Sequence, residues 1–129
     1  MTINNIHEDA FLDAAANGLV EVIRESLEKK LCDIDCQNDE GLNALMLAAA
    51  NGHKNLVDAL LAHGCSPDVQ TNEGETALMW AADKNHRDIV DALLAHNCSP
   101  DVQTNEGETA LMFAARDGHL RITKNYIIR

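Results

Sequence analysis

The chain has 129 residues, of which 24% are charged and 3% aromatic, and its formal net charge is −11. This length suits one domain, and so acidic a chain is a poor direct ligand for the phosphate backbone of nucleic acids. No stretch approaches the roughly 20 apolar residues of a membrane-spanning helix, and the polar start Met1–Glu8 lacks the pattern of a signal peptide. We therefore expect a cytoplasmic protein in a reducing compartment, with neither membrane nor nucleic acid as partner.

The first predicted element is a degenerate helical unit in residues 1–31, which we expect to cap the N-terminal end of the domain. Its segment Ala14–Gly18 reads Ala-Ala-Ala-Asn-Gly, and the same letters recur at Ala48–Gly52. The later units repeat at a slightly shorter interval, so the first unit contains one extra residue. The sequence places that residue in the turn Glu28–Leu31.

Three fuller units follow in residues 32–64, 65–97 and 98–129. The segment Ala62–Met79 recurs at Ala95–Met112 with a single change. A period of about 33 residues indicates a stack of small units, none of which can bury its apolar face alone. The chain is therefore predicted to be a single cooperative domain.

Each of these units contains two apolar stripes of helical period. In the third unit, Leu78, Ala81 and Ala82 stand at positions i, i+3 and i+4, which predicts one face of a helix. A second stripe of the same period consists of Ile89, Val90, Leu93 and Leu94. Side chains that can cap free N–H groups precede the first helices, at Asn43, Thr76 and Thr109. The Asp-Val-Gln stretches between the turns are too short for a full strand.

The order of these features resembles the ankyrin repeat. A turn, the sequence Gly-Glu-Thr-Ala-Leu-Met-Trp-Ala-Ala at Gly74–Ala82, an Asn-His pair, an Ile-Val pair, Leu-Leu and Asn-Cys follow one another in the family's order. The resemblance covers nearly the whole chain. It implies a right-handed, all-α ankyrin-repeat solenoid of about four stacked helix-turn-helix units joined by β-turn-like loops.

Two departures from the family pattern alter these expectations. The histidine that ties turn to helix in the family is replaced by Met46, Met79 and Met112. We expect soft packing to take the place of polar turn-locking there. The usual asparagine after Asp-Val or its equivalent is replaced by Gln37, Gln70 and Gln103. The asparagine hydroxylation known for the family is therefore not expected at these positions.

The cysteines are interpreted as reduced core residues. Cys32, Cys65 and Cys98 occupy one register, and equivalent positions on stacked helices lie roughly 8–10 Å apart, beyond the ~7 Å limit for bridged Cα atoms. Cys36 is interpreted in the same way. The pairs His63/Cys65 and His96/Cys98 contain a zinc ligand set, but that same separation far exceeds the roughly 2.3 Å bond that zinc requires. No metal site is predicted.

The remaining motifs do not favour catalysis. The column of His53, His86 and His119 is interpreted as partly buried residues that start the second helices. No nucleophile has a general base beside it, and no glycine-rich phosphate loop follows a strand. An enzyme is the least favoured hypothesis, and the sequence predicts neither a catalytic residue nor a cofactor.

Charge is segregated along the repeat. The stretches Leu31–Leu47, Gly64–Trp80 and Asn97–Phe113 contain ten Asp and Glu residues and no Lys or Arg. The ankyrin resemblance implies that they line a concave binding face. The predicted acidic ridge on that face consists of Asp39, Glu40, Glu73, Glu75, Glu106 and Glu108. The alternative is that acidic turns merely keep the protein soluble.

An apolar column is predicted beside this ridge. Leu47, Trp80 and Phe113 share one register, about 200° around the helix from the buried stripe. We expect them, together with Leu42, to face the groove, while Asp83, Lys84, Arg116 and Asp117 supply charge at its rim. Trp is a frequent interface anchor. The alternative is that Trp80 and Phe113 pack against neighbouring helices, and both interpretations can hold in part.

The functional prediction is a non-catalytic, monomeric module that binds another protein through a basic or basic-apolar segment. The competing hypothesis is a regulatory or targeting domain of a longer protein whose activity lies elsewhere. Thr123 and Tyr126 soften the last apolar stripe. The sequence therefore predicts that the last helix, Leu120–Arg129, frays first.

Overall fold

A computed structural model describes residues 6–116 and 118–119 of the chain. This part contains seven α-helices and no strand, which confirms the predicted all-α class. The predicted last helix at 120–129 and the rim residue at 117 lie outside the described residues. The helices are α1 (Ile6–Ala16), α2 (Val20–Glu28), α3 (Ala44–Ala50), α4 (Lys54–Ala62), α5 (Ala77–Asp83), α6 (Arg87–Ala95) and α7 (Ala110–Arg116).

The helices form antiparallel pairs that stack in two layers. Helices α1 and α2, α3 and α4, and α5 and α6 pack together as pairs. The first helices, α1, α3, α5 and α7, contact one another in sequence and form one layer, while α2, α4 and α6 form the other. None of the helices in the described part is long and apolar enough to cross a membrane.

The predicted caps start the first helices. Asn43 Oδ1 accepts from the N–H of the third helical residue at 3.0 Å. The hydroxyls of Thr76 and Thr109 accept in the same way at 3.4 and 3.3 Å. The second helices α4 and α6 begin directly after His53 and His86, which are half-buried as predicted. The sequence thus sets both helix starts of the second and third units.

Small side chains let the first helices approach closely. Ala48, Ala49, Ala81 and Ala82 are completely buried, so the low aromatic content costs the core little. The space between the two layers is filled by branched aliphatic side chains, among them Leu56, Val57, Leu60, Ile89, Val90 and Leu93. The predicted methionine packing is correct at positions 46 and 79, which are buried, whereas Met112 is 52% exposed.

The extra residue of the first unit lies beyond the turn in which it was predicted. Lys30 has a left-handed φ of +55°, and Gly64, which ends the corresponding turn of the second unit, has a φ of +85°. The N–H groups of Leu31 and Cys65 bond back to their helices in the same way, at 3.0 and 3.2 Å. The turn is therefore equivalent in both units, and the predicted insertion within Glu28–Leu31 is wrong.

This shift changes the cysteine column. Leu31, and not Cys32, occupies the position equivalent to Cys65 and Cys98. From Asp35 onward the chain follows the shorter interval of the later units. The Asp35 carboxylate accepts from the backbone N–H of Ser66 in the next unit, and the equivalent Asp68 accepts from that of Ser99. Cys32 is half-buried while Cys65 and Cys98 are buried. The prediction that three cysteines share one position is wrong for Cys32.

Candidate protein-binding surface

Three polar loops project ahead of the first helices, and we call them the fingers: residues 37–42, 70–75 and 103–108. In the second finger, the N–H of Thr71 donates to the carbonyl of Glu75 at 2.8 Å. The Thr71 hydroxyl accepts from the N–H groups of Glu73 and Glu75 at 3.2 and 3.1 Å. Thr104 makes the same contacts in the third finger. Each finger therefore has a defined shape of its own.

Neighbouring fingers are also bonded to each other. The N–H of Asn72 donates to the carbonyl of Glu40 at 3.1 Å, and its side-chain amide donates to the carbonyl of Asp39 at 2.8 Å. Gln37 Nε2 donates to the carbonyl of Gln70 in the next unit at 3.0 Å. Polar turn-locking is thus present in this chain through amide side chains. The buried methionines at positions 46 and 79 therefore accompany polar turn-locking and do not replace it.

The fingers carry the predicted acidic ridge. Asp39, Glu40, Glu73 and Glu106 are exposed at the finger tips, whereas Glu75 and Glu108 are half-buried. The hydroxyl of Thr71 donates to Glu75 Oε1 at 3.1 Å, and that of Thr104 donates to Glu108 Oε1 at 3.4 Å. The threonines orient one carboxylate in each of these two units.

A cleft of about 400 Å³ lies between the first two fingers, and we call it the Trp80 cleft. Six of the predicted site residues line it: Asp39, Glu40, Leu42, Glu73, Glu75 and Trp80. Thr71 and Asn72 line it as well, and neither was predicted from the sequence. The signal for them was the Thr-Asn pair that precedes the acidic turn in two units.

The side chain of Trp80 lies both against the core and at the cleft. Its side chain is half-buried and packs against the core, and part of it lines the cleft. Its Nε1 atom is buried and has no hydrogen-bond acceptor among the described residues. Leu47 and Phe113 are also half-buried and packed against the core, but they do not line the Trp80 cleft.

In the last described unit the rim residue Arg116 contacts the acidic ridge and the apolar column. Arg116 Nη1 lies 3.0 Å from Glu108 Oε2, and its guanidinium carbon lies 4.7 Å from the centroid of the Phe113 ring. One unit earlier, Lys84 Nζ lies 3.9 Å from Asp83 Oδ2.

A smaller cleft of about 130 Å³ separates the second and third fingers; it is lined by Glu73, Glu75, Thr104, Glu106 and Glu108.

Burial changes the titration of three cysteine thiols outside the ridge. Burial raises the pKa of both the Cys36 and the Cys65 thiols to about 12, so both are protonated at neutral pH. Burial likewise raises the pKa of Cys32. Within the described ranges, no cluster of three or more His, Cys, Asp or Glu side chains is arranged to hold a metal ion.

Comparison with known proteins gives two findings. A family model described as ankyrin repeats, in three copies, matches residues 11–104. A 55-residue segment is 42% identical to short transient receptor potential channel 3 of Homo sapiens. The same channel of Rattus norvegicus and of Mus musculus is 40% identical. The match covers 42% of this chain and spans 6% of the length of each channel.

Proposed function

Because the chain belongs to the ankyrin-repeat family, a non-catalytic interaction fold, we propose that it is a protein-interaction module for a basic or basic-apolar partner segment. The segment binds across the acidic ridge, with the Trp80 cleft at the centre of the contact. The observation that carries this proposal is the cleft itself, in which four carboxylate side chains surround one indole. The module acts as a monomer in the cytoplasm.

The charges and the rigidity of the fingers support this assignment. The stretch Gly64–Trp80, which contains the second finger, has three acidic residues and no Lys or Arg. A basic segment approaching it meets no repulsive charge there, and long-range attraction accelerates its association. The bonds within and between the fingers fix the backbone that bears the carboxylates, and Thr71 orients the carboxylate of Glu75 before the partner arrives. Less conformational entropy is then lost on binding.

A second candidate is a regulatory or targeting domain within a longer protein whose activity lies elsewhere. The channel matches favour it, because a 55-residue segment similar to this chain occurs there as 6% of a much longer protein. Sequencing the complete transcript that encodes the chain tests this candidate directly. A transcript that encodes only these 129 residues would contradict it.

Replacement of Trp80 tests the proposed binding face. The probe is a set of nine-residue peptides with alternating basic and leucine residues, titrated while NMR spectra of the protein are recorded. We expect the shifts to cluster in the fingers and at the indole. Trp80→Ala should weaken binding by about 2 kcal/mol or more while changing stability modestly, because central aromatic anchors dominate interfaces.

Phe113→Ala is the matched control, because the Phe113 ring occupies the same register but lies under Arg116 and outside the Trp80 cleft. It should leave peptide affinity nearly unchanged. Peptide-induced shifts that avoid the fingers, or affinities that do not respond to Trp80→Ala, would favour the simpler view that the acidic turns serve only solubility.

A further inference from the structure

The third and fourth units present equivalent surfaces that differ at one decisive position. In the repeat register, Glu75 corresponds to Glu108 and Trp80 corresponds to Phe113. Asp83 corresponds to Arg116 in the same way. Each unit thus combines a carboxylate with an aromatic ring, but only the fourth unit also contains an arginine beside them.

In the fourth unit the chain's own arginine fills this arrangement. Arg116 Nη1 donates to Glu108 Oε2 at 3.0 Å, and the guanidinium lies over the Phe113 ring at 4.7 Å. Thr104 holds the other carboxylate oxygen of Glu108. One cation is therefore bound by a charge-assisted hydrogen bond and by the face of an aromatic ring together.

In the third unit the same groups are present without an arginine. The Thr71 hydroxyl donates to Glu75 Oε1 at 3.1 Å, as its counterpart does to Glu108. No described residue donates a hydrogen bond to Glu75 Oε2. The cleft beside Glu75 and Trp80 measures about 400 Å³, whereas the equivalent cleft beside Glu108 measures about 130 Å³. Trp80 lines the larger cleft, but Phe113 does not line the smaller one.

We propose that the Trp80 cleft is a subsite for an arginine side chain of the partner, which takes the place that Arg116 has in the fourth unit. The inference rests on the proposed function and specifies it. Arginine suits the site better than lysine, because its planar guanidinium stacks on an indole and donates to a carboxylate at the same time. Trp is also the aromatic ring that attracts cations most strongly.

The second unit indicates what flanks this arginine. Leu42 stands at the register of Glu75, and Leu47 at that of Trp80. The equivalent position there is apolar and suits an apolar partner residue. Successive units lie roughly 8–10 Å apart, and three residues of an extended chain span about 10 Å. The partner segment therefore carries an apolar residue three positions from its arginine.

Two synthetic peptides test the subsite. The first is Gly-Leu-Ser-Gly-Arg-Gly-Ser-Leu-Gly, with blocked ends and a leucine three residues from the arginine on each side. The second has lysine in place of arginine and the same net charge. The chain contains a single Trp, so indole fluorescence and its Nε1–H signal in NMR spectra report on this cleft alone. We expect the arginine peptide to bind about tenfold more tightly.

Exchange of the residues that differ between the two units sharpens the test. Asp83→Arg places a cation of the chain beside Trp80 and should lower the affinity for the arginine peptide at least about tenfold. Asp83→Ala measures the effect of losing the Asp83 carboxylate alone, and Asp83→Arg should weaken binding of the arginine peptide further than Asp83→Ala does. Arg116→Asp should open the fourth-unit cleft and raise the stoichiometry from one peptide to two. Thermal unfolding of each variant verifies that it folds.

The outcomes separate this inference from the proposed function. Equal affinity for the two peptides, with shifts in the fingers, would overturn the arginine subsite and leave the basic-segment proposal standing. Unchanged arginine-peptide binding in Asp83→Arg would overturn it as well. If neither these peptides nor the basic-leucine set shifts the finger signals, the proposed function itself fails.

Discussion

The two edges of the stack are joined in different ways. On the edge where the helices of each pair connect, one histidine ring per unit bonds to the preceding unit. The ring nitrogens of His53, His86 and His119 lie 2.9, 3.2 and 3.1 Å from carbonyl oxygens there. On the finger edge, asparagine, glutamine and aspartate side chains and backbone N–H groups all cross between units.

This difference shows where the stack is most strictly ordered. Between the second and third units, the finger edge contributes four cross-unit hydrogen bonds. Gln37 and Asp35 make one each through their side chains, and Asn72 makes two, one through its side chain and one through its backbone N–H. The described part of the first unit contains no finger. It is joined to the second unit by helix packing and by hydrogen bonds from the side chains of His53 and Asn51. The proposed binding face therefore lies on the more extensively bonded edge, while the described part of the first unit has no finger to form such bonds.

The largest effect should come from a methyl group placed between two fingers. Gly74 has a φ of +84°, and a Cβ there would lie 2.8 Å from the backbone nitrogen of Asn105. Gly74→Ala should lower the free energy of unfolding by about 3 kcal/mol, because backbone strain adds to a clash that only a displaced finger can relieve. Urea denaturation measures this change.

Gly107→Ala is a matched control for that experiment. Gly107 has a similar φ of +81°, but a Cβ there would meet no atom within 4 Å. Only the backbone strain remains, so the cost should be about 1–2 kcal/mol. If the two variants unfold at the same urea concentration, the close approach of the second and third fingers contributes nothing to stability.

Much of the fold could be predicted from the sequence because it depends on local chemistry. The cap at Thr76 and the half-buried His86 follow from side chains within a few residues of each helix start. The acidic ridge could be located because a glutamate recurs at one register in the three full units, at Glu40, Glu73 and Glu106. The position of the extra residue was predicted wrongly. The match of Ala14–Gly18 to Ala48–Gly52 shows that one residue is added between these segments, but it does not show at which position. Only the turn geometry at Lys30 locates the change beyond Leu31.

The part of the site that escaped prediction depends on contacts distant in sequence. Gln70 was noted only as a departure from the family pattern, yet its amide bonds to the carbonyl of Gln103, 33 residues away. Arg116 was assigned to the rim as a charge. Its contact with Glu108 spans eight residues, a spacing that no helical pairing rule covers.

Alkaline pH should affect the finger edge next most strongly. Cys36 and Cys65 precede the first two fingers, and burial raises the pKa of each to about 12. The unfolded thiols ionise near pH 8.5–9 (roughly the free value). Between those values the unfolded state releases protons that the folded state retains, so stability falls as pH rises. Linkage gives about 2–3 kcal/mol for the two thiols between pH 8.5 and 10. Because both thiols lie near the protein surface, solvent screening reduces the loss expected in denaturation to about 1 kcal/mol.

Cys36→Ala and Cys65→Ala separate this loss from other titrations. Each variant lacks one thiol that ionises only on unfolding, so its stability should fall less over the same pH interval. Alkylation gives a second measurement, since iodoacetamide should modify Cys65 slowly until the protein unfolds. Rapid alkylation of Cys65 at pH 8 in the native protein would contradict its raised pKa.

The smallest effect concerns the charges along the finger edge. Glu73 lies between the equivalent residues Glu40 and Glu106, and all three are exposed. Successive units lie roughly 8–10 Å apart, which is comparable with the Debye length of ~8–10 Å at moderate ionic strength. Added sodium chloride should therefore screen their repulsion and raise the melting temperature by about 1–3 °C. Salt should also slow the association of a basic peptide, because it screens the attraction of the same carboxylates.

Two charge-neutralising variants assign these salt effects to one edge. Glu73→Gln should reduce both of them. Glu21→Gln removes an exposed carboxylate that is paired with Arg24 on α2, and it should reduce neither. Equal salt dependence in the two variants would mean that the repulsion arises elsewhere on this acidic chain, and the finger edge would then differ from the opposite edge in hydrogen bonding alone.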